Sequence, residues 1–291
     1  MYHIIQKRKI FLTISAILCG ISILALIFWG LKTGIDFSGG TIMELNYSNQ
    51  LPSNQEIKDK LKDLNLPEII IQRSGEKSLI LRFKNVDEAT HQKILEKLDR
   101  PEEIRFESIG PTIGRELTRK ARWAILIAVV AILIYIAWAF RKLSKIIKKG
   151  ESWRYGGGAI LALIHDLILI LGLYAILGHF KGTELNSTFI VAILTVLGYS
   201  VNDTIIVYDR IRENFLIYGW RNFEETINRS LNETLIRSLN TTLTTVLAIL
   251  IIIIFGGESI RDFMLAMALG ISTGTWSSIS IATPFLLFKR K

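Results

Sequence analysis

The sequence predicts an α-helical polytopic membrane protein, with six transmembrane helices and a small α+β external domain between helices one and two. Three observations predict it. Half of the 291 residues are hydrophobic and the mean hydropathy is +0.37. The apolar residues gather into long blocks and do not recur at the spacing of a soluble core. One polar segment, residues 32–118, is too long for a connector and too polar for a bilayer.

The first block, Ile10 to Leu31, follows Lys7, Arg8 and Lys9. A basic start also suits a secretory signal, but this block exceeds a signal's apolar core and no small-x-small cleavage pattern follows, so it reads as an uncleaved span. The sole cysteine, Cys19, lies inside it, which excludes an intrachain disulfide, and no residues show metal-ligand spacing. Five more blocks run from Ala121 to Phe140, Ala159 to Leu177, Thr188 to Tyr208, Thr241 to Phe255 and Phe263 to Phe288. Most reach the ~20 residues that cross hydrocarbon. The fifth is short unless Ser238 to Gly256 is counted.

Charge sets the orientation. Basic residues cluster before span one, between spans two and three (Arg141, Lys142, Lys145, Lys148, Lys149, Arg154) and after span six (Lys289, Arg290, Lys291), all on one side of a six-span chain. The positive-inside rule makes that side cytoplasmic and residues 32–118 external. The external segment has 13 Lys and Arg against 15 Asp and Glu, while the whole chain carries +9. The basic excess therefore belongs to the inner rim, where an anionic lipid surface explains it better than nucleic acid does.

The external segment alternates like a folded domain. Thr41 to Tyr47 (TIMELNY) has the period of a strand, and Ser53 with Glu56 forms a capping box before Ile57, Leu61 and Leu64. EIIIQRS and SLILRF read as a hairpin joined by Gly75, Glu76 and Lys77; a helix from about Val86 to Leu98 and a last strand, EIRFESI, follow. The order β-α-β-β-α-β is that of a ferredoxin-like sandwich, a fold that hosts many functions. His91, isolated on a charged helix, is expected as a solvated surface residue. With no nucleophile, base and orienter at workable spacing, the domain reads as a binding or docking module. No P-loop, dinucleotide-binding glycine pattern or nucleophile elbow occurs in the chain, which argues against an enzyme acting on a soluble substrate.

The chemistry concentrates in the spans. Asp203 stands in an apolar run near the inner end of span four, where an ionisable side chain costs at least ~2.5 to 3.5 kcal/mol on insertion scales. Two readings stand: Asn202, Asp203 and Thr204 bond helices together, or Asp203 titrates. Phe223, Ile227, Leu231 and Leu235 recur every four residues, which predicts an amphipathic helix at the inner surface, about 221–237, before span five turns inward. Arg237 ends it at a depth comparable with Asp203, so a pair is geometrically plausible. His165 and Asp166 lie in span three at similar depth, either as interhelical hydrogen bonders or as an extension of the polar cluster. The Ser and Thr residues of spans five and six suit close packing or a water-lined path. Gly39 and Gly40, with Asp36 and Phe37, are expected as a structural or hinge motif after span one.

Several of these stretches, in this order, resemble one family. GIDFSGGTIMEL (Gly34 to Leu45) resembles the DFxGG signature of the SecD/SecF family, auxiliary membrane subunits of bacterial protein secretion. ALIHDLILILG (Ala162 to Gly172) and GYSVNDTIIVYDRIREN (Gly198 to Asn214) resemble its third and fourth spans on the SecF side, and FGGESIRDF lies between the last two. The resemblance implies membership of the resistance-nodulation-division superfamily, with SecD, the SecYEG channel and an unfolded secretory polypeptide as partners. It implies that the proton-motive force drives late steps of export across the inner membrane. VND and IRSLNTTL place the proton-coupling acid and arginine of that family on Asp203 and Arg237. The coupling ion implied is H+, and no cofactor is implied. Two rival readings are a small-molecule exporter of the same superfamily and a non-transporting scaffold for the export channel.

Overall fold

The computed structural model describes residues 2–48, 50–64, 66, 69–74, 77–139, 152–219 and 222–288. Gly75 and Glu76 of the expected hairpin turn, Phe140, the basic run 141–149, Arg221, and Lys289 to Lys291 lie outside the described residues. In chain order the principal elements are α1 (Arg8–Trp29), α2 (Ile35–Ser38), β1 (Gly40–Asn46), α3 (Asn54–Leu61), β2 (Ile70–Ser74), β3 (Ser78–Phe83), α4 (Glu88–Lys97) and β4 (Glu102–Ile109). Five helical elements follow: α5 (Pro111–Ala139), α6 (Ser152–Lys181), α7 (Ser187–Tyr218), α8 (Phe223–Phe255) and α9 (Glu258–Ser277). They divide into two units, one of residues 33–123 and one of 1–32 with 124–291.

In the small α+β unit the strands form one antiparallel sheet in the order β2-β3-β1-β4. The element order is the one its sequence pattern predicts. Register follows hydrophobicity: Met43 faces Leu81 and Leu45 faces Leu79 across β1 and β3, and all four are fully buried. Helices α3 and α4 close the core with Ile57, Leu61, Ile94 and Leu98. Both begin on a side-chain cap. Ser53 Oγ accepts the Glu56 N–H at 3.2 Å, and Asp87 Oδ1 accepts the Thr90 N–H at 3.0 Å.

His91 is not a surface residue. It shares the inward face of α4 with Ile94 and Leu98, is 5% exposed, and stacks on Phe106 with ring centroids 3.7 Å apart. Glu88 meets its Nδ1 at 3.1 Å and Glu103 its Nε2 at 2.9 Å. The surrounding charges, which suggested solvent, are the partners that allow the ring to be buried.

The GIDFSGG stretch forms a tight junction. Helix α2 ends at Gly39, with φ +74°, and Gly40 follows at φ +138°, conformations that L side chains rarely adopt. A Cβ on Gly39 would also stand 3.2 Å from Pro111 Cα, and one on Gly40 3.1 Å from the Phe83 carbonyl oxygen. Phe37 holds its carbonyl beside Gly114 and Thr118 of α5, and Asp36 interacts electrostatically with Arg105.

The other unit contains the apolar stretches of six helices long and apolar enough to cross a membrane. Their most apolar windows are 44–50% buried in α6, α7 and α9 but 6–17% buried in α1, α5 and α8. The first three therefore make the interior and the others flank it. Close approach depends on small residues: a Cβ on Gly270 would fall 2.3 Å from Val196, and one on Gly274 2.9 Å from Ser200, so this G-x-x-x-G face of α9 lies almost against α7.

Two expectations fail in α8. The amphipathic stretch does not form a separate surface helix; α8 is continuous for 33 residues. No Gly or Pro interrupts it, and its hydroxyls bond back to carbonyls one turn earlier, as Thr241 does to Arg237 and Thr245 to Thr241. Its apolar stripe also packs inward: Ile227 and Leu231 are fully buried in the helical core, and Phe223 stacks on Phe215. An inward-facing stripe and a membrane-surface stripe share one period, so sequence does not separate them.

Past Ser277 the last helix widens into a π turn, Ser278–Ala282, and then one further α turn, Thr283–Phe285. The Tyr208 hydroxyl donates to the Ala282 carbonyl at 2.8 Å, and Thr283 Oγ1 donates to the Ser278 carbonyl at 2.7 Å.

Candidate functional site

Three interior helices and α8 bring two carboxylates into one polar layer. Asp166 projects from α6 and is 1% exposed. Its Oδ2 accepts the Ser200 hydroxyl of α7 at 2.6 Å and the Ser277 hydroxyl of α9 at 2.8 Å, while its Oδ1 meets His165 Nδ1 at 3.0 Å. Both acid and histidine thus join the cluster, although neighbours on a helix diverge by about 100°. The Nε2 of His165 is buried without a hydrogen-bond partner among the described residues.

Asp203 lies one turn further along α7 and is 6% exposed. Its Oδ1 accepts the Ser238 hydroxyl of α8 at 2.6 Å, whereas its Oδ2 is buried with no hydrogen-bond partner among the described residues. The two acids are separated by a hydroxyl layer. Thr204 Oγ1 pairs with Ser278 Oγ at 2.8 Å and also donates to the Ser200 carbonyl, and Ser277 and Ser278 are consecutive on the last helix. Thr242 of α8 extends the layer by pairing with Thr275.

Arg237 is not in this cluster. It sits on the exposed side of α8 and forms no ion pair among the described residues, so the expected Asp203–Arg237 contact is not made in this arrangement. The next residue, Ser238, takes the place opposite Asp203. Asn202 also turns away: it is exposed and lines a groove of about 380 Å³ with Gly198 of α7 and Ala131 and Tyr135 of α5. Asp36, Phe37, Gly39 and Gly40 belong to the junction of the small unit described above.

Sequence reasoning misses Ser200 and Ser238 as partners of the acids. Their signal is weak but present: Ser200 precedes Asp203 by three residues, on the same helix face, and Ser238 adjoins the singled-out arginine. It also misses the clamp on the amino-terminal segment. Asn228 accepts the Ile4 and Ile5 N–H groups at 2.9 and 3.2 Å and donates to the Tyr2 carbonyl, Asn232 repeats this at Tyr2, and Arg8 pairs with Glu224 at 2.9 Å.

Chemically, the site sets two buried carboxylates on either side of a layer of hydroxyls, groups that can both donate and accept. Among the described residues no three His, Cys, Asp or Glu side chains converge.

These features define a multi-pass helical membrane protein with an acid-bearing core and one inserted α+β domain. The chain belongs to the SecD/SecF protein-export family: residues 90–291 match the family model for the C-terminal region of the protein export membrane proteins SecD/SecF. The protein translocase subunit SecF of Anaerolinea thermophila is 36% identical over 99% of this chain and 94% of its own. That of Thermobaculum terrenum is 36% identical over 99% and 93%. Among solved structures, the crystal structure of SecDF, a translocon-associated membrane protein from Thermus thermophilus, superposes with a TM-score of 0.82 at 30% identity. A second SecDF structure, in a super-membrane-facing form, gives 0.68. The match covers 98% of this chain but spans 38% of the first SecDF chain. The family is that of a transport component, on the SecF side.

Proposed function

We propose that this chain works with a SecD partner at the SecYEG channel and uses the proton-motive force to promote late steps of protein export. In this reading it lies in the bacterial inner membrane, with cytoplasmic termini, residues 32–118 outside, and anionic lipid against its basic inner rim. The emerging unfolded polypeptide meets the external domain. SecDF is described as translocon-associated, which supports the partner assignment, and the chain's near full-length similarity to SecF subunits supports the process.

One observation carries the coupling role: Asp203 is buried in the helical core with its Oδ1 bonded to Ser238 and its Oδ2 without a hydrogen-bond partner among the described residues, the Ser278 hydroxyl standing beside the carboxyl. Asp166, by contrast, has each oxygen engaged. Asp203 retains capacity for a second partner, and Arg237, always charged, is the available cation on the adjoining helix. Contact with Arg237 holds the carboxylate ionised, and protonation releases it, so proton transfer is linked to movement of α8 against α7. Asp166 and His165 extend the path through Ser200, Ser277 and Thr204.

Replacing Asp203 with Asn keeps the Ser238 bond and removes titration. Proton-gradient-driven release of a translocated substrate from membrane vesicles should be lost in Asp203→Asn, with assembly alongside the partner unchanged. Normal stimulation in that variant would refute the coupling role.

A further inference from the structure

The carboxylate of Asp203 faces one of two consecutive residues on α8, and the one it meets is Ser238. Ser238 is 3% exposed and its hydroxyl donates to Oδ1 at 2.6 Å, whereas Arg237 points to the exposed side. The same division continues one turn on. Thr242, four residues beyond Ser238, meets Tyr199 of α7 and Thr275 of α9, while Thr241, four beyond Arg237, is exposed. Two neighbouring stripes of α8 therefore exist, one of hydroxyls turned to the core and one led by a guanidinium turned away.

We propose that Ser238 is a positioning residue, the alternative partner that holds the Asp203 carboxyl in place while Arg237 is disengaged. The inference rests on the coupling role of Asp203 given above and adds to it the group that occupies the site in the other half of the cycle. Without such a group, departure of Arg237 would leave the buried carboxyl with the neighbouring Ser278 hydroxyl alone, a cost that would oppose the step. Ser238 reduces that cost, and its hydroxyl suits the task because it can donate to a carboxylate and equally bond a neutral acid. Arg237, a permanent cation, favours the ionised form. The pair thus discriminates between protonation states by exchange of partners on one helix.

The competing groups around Asp203 are few. On α8 the charged neighbour is Arg237; on α6 the titratable ones are His165 and Asp166, which bond each other, Asp166 also accepting two serine hydroxyls; the π turn after α9 contributes the Ser278 hydroxyl; and on α7 itself Asp209 pairs with Arg212 and Arg210 with Glu213.

The test uses the full chain with its partner in membrane vesicles, measuring proton-gradient-driven release of a translocated polypeptide across a range of pH. Ser238→Ala weakens only the arrangement in which Arg237 is away, so the profile should move about one unit toward acid, a tenfold change. Ser238→Thr, which keeps the hydroxyl, should return it. Should the alanine variant fail to assemble, Ser238→Cys, a poor donor of similar size, is measured in its place and the same displacement is expected. A profile that superimposes on the unaltered protein overturns the proposal, as does a displaced profile that threonine fails to restore. Loss of stimulation in Asp203→Asn together with an unmoved Ser238→Ala profile would remove this inference and leave the coupling role standing; retained stimulation in Asp203→Asn would remove both.

Discussion

Asp166 and Asp203 show how one residue type takes two characters from its hydrogen bonds. Asp166 is held by two serine hydroxyls and a histidine, each from a fixed position on an interior helix. Removing one of those donors from a buried carboxyl costs about 1–3 kcal/mol. Ser277→Ala should therefore lower the thermal stability of the detergent-solubilised protein, measurably in a melting experiment, while an exposed control such as Thr244→Ala should not. Asp203 has one oxygen without a partner among the described residues, so its variants should cost less stability and more function. His91 gives the opposite lesson: a charged neighbourhood in sequence is compatible with burial when the charges cover the ring's polar atoms as partners.

The helices add constraints that no single residue carries. The G-x-x-x-G face of α9 sets its distance from α7, and that distance places Ser277 and Ser278 between the acids. Gly270→Ala would put a methyl group 2.3 Å from Val196, and overpacking of this kind costs typically about 1–3 kcal/mol. Both thermal stability and gradient-driven export should fall in that variant, because separating the helices stretches the hydroxyl layer. Helix α8 is held differently: its apolar stretch buries little, and its amino-terminal end is fixed by Asn228 and Asn232 on Tyr2, Ile4 and Ile5. Asn228→Ala removes the acceptor of two backbone N–H groups and should raise amide hydrogen exchange at Ile4 and Ile5. Unchanged protection there would show that the buried Ile5 side chain is sufficient to dock the segment.

At the scale of the whole molecule, the legible part of the fold is the part written in periodicity. Six apolar blocks, a β-α-β-β-α-β order and the Ser53 cap all come from local pattern, and the solved architecture follows them. The lost part depends on direction around a helix. Asp203 is visible as an oddity in an apolar run, yet whether it meets Arg237 or Ser238 turns on one 100° step that composition does not encode. The stripe Phe223, Ile227, Leu231, Leu235 is likewise apparent in sequence, but its choice of protein core over membrane surface is a tertiary decision. The π turn at Ser278 shifts the register of everything after it and has no sequence signature of its own.

The central claim is that gradient energy enters through the under-bonded carboxyl of Asp203. The most direct measurement compares release of a translocated polypeptide from vesicles carrying the intact protein or Asp203→Asn, under a proton gradient and, separately, a sodium gradient. The account predicts stimulation by the proton gradient with the intact protein and none with Asp203→Asn. Stimulation that survives in Asp203→Asn, or that only sodium provides, would contradict it.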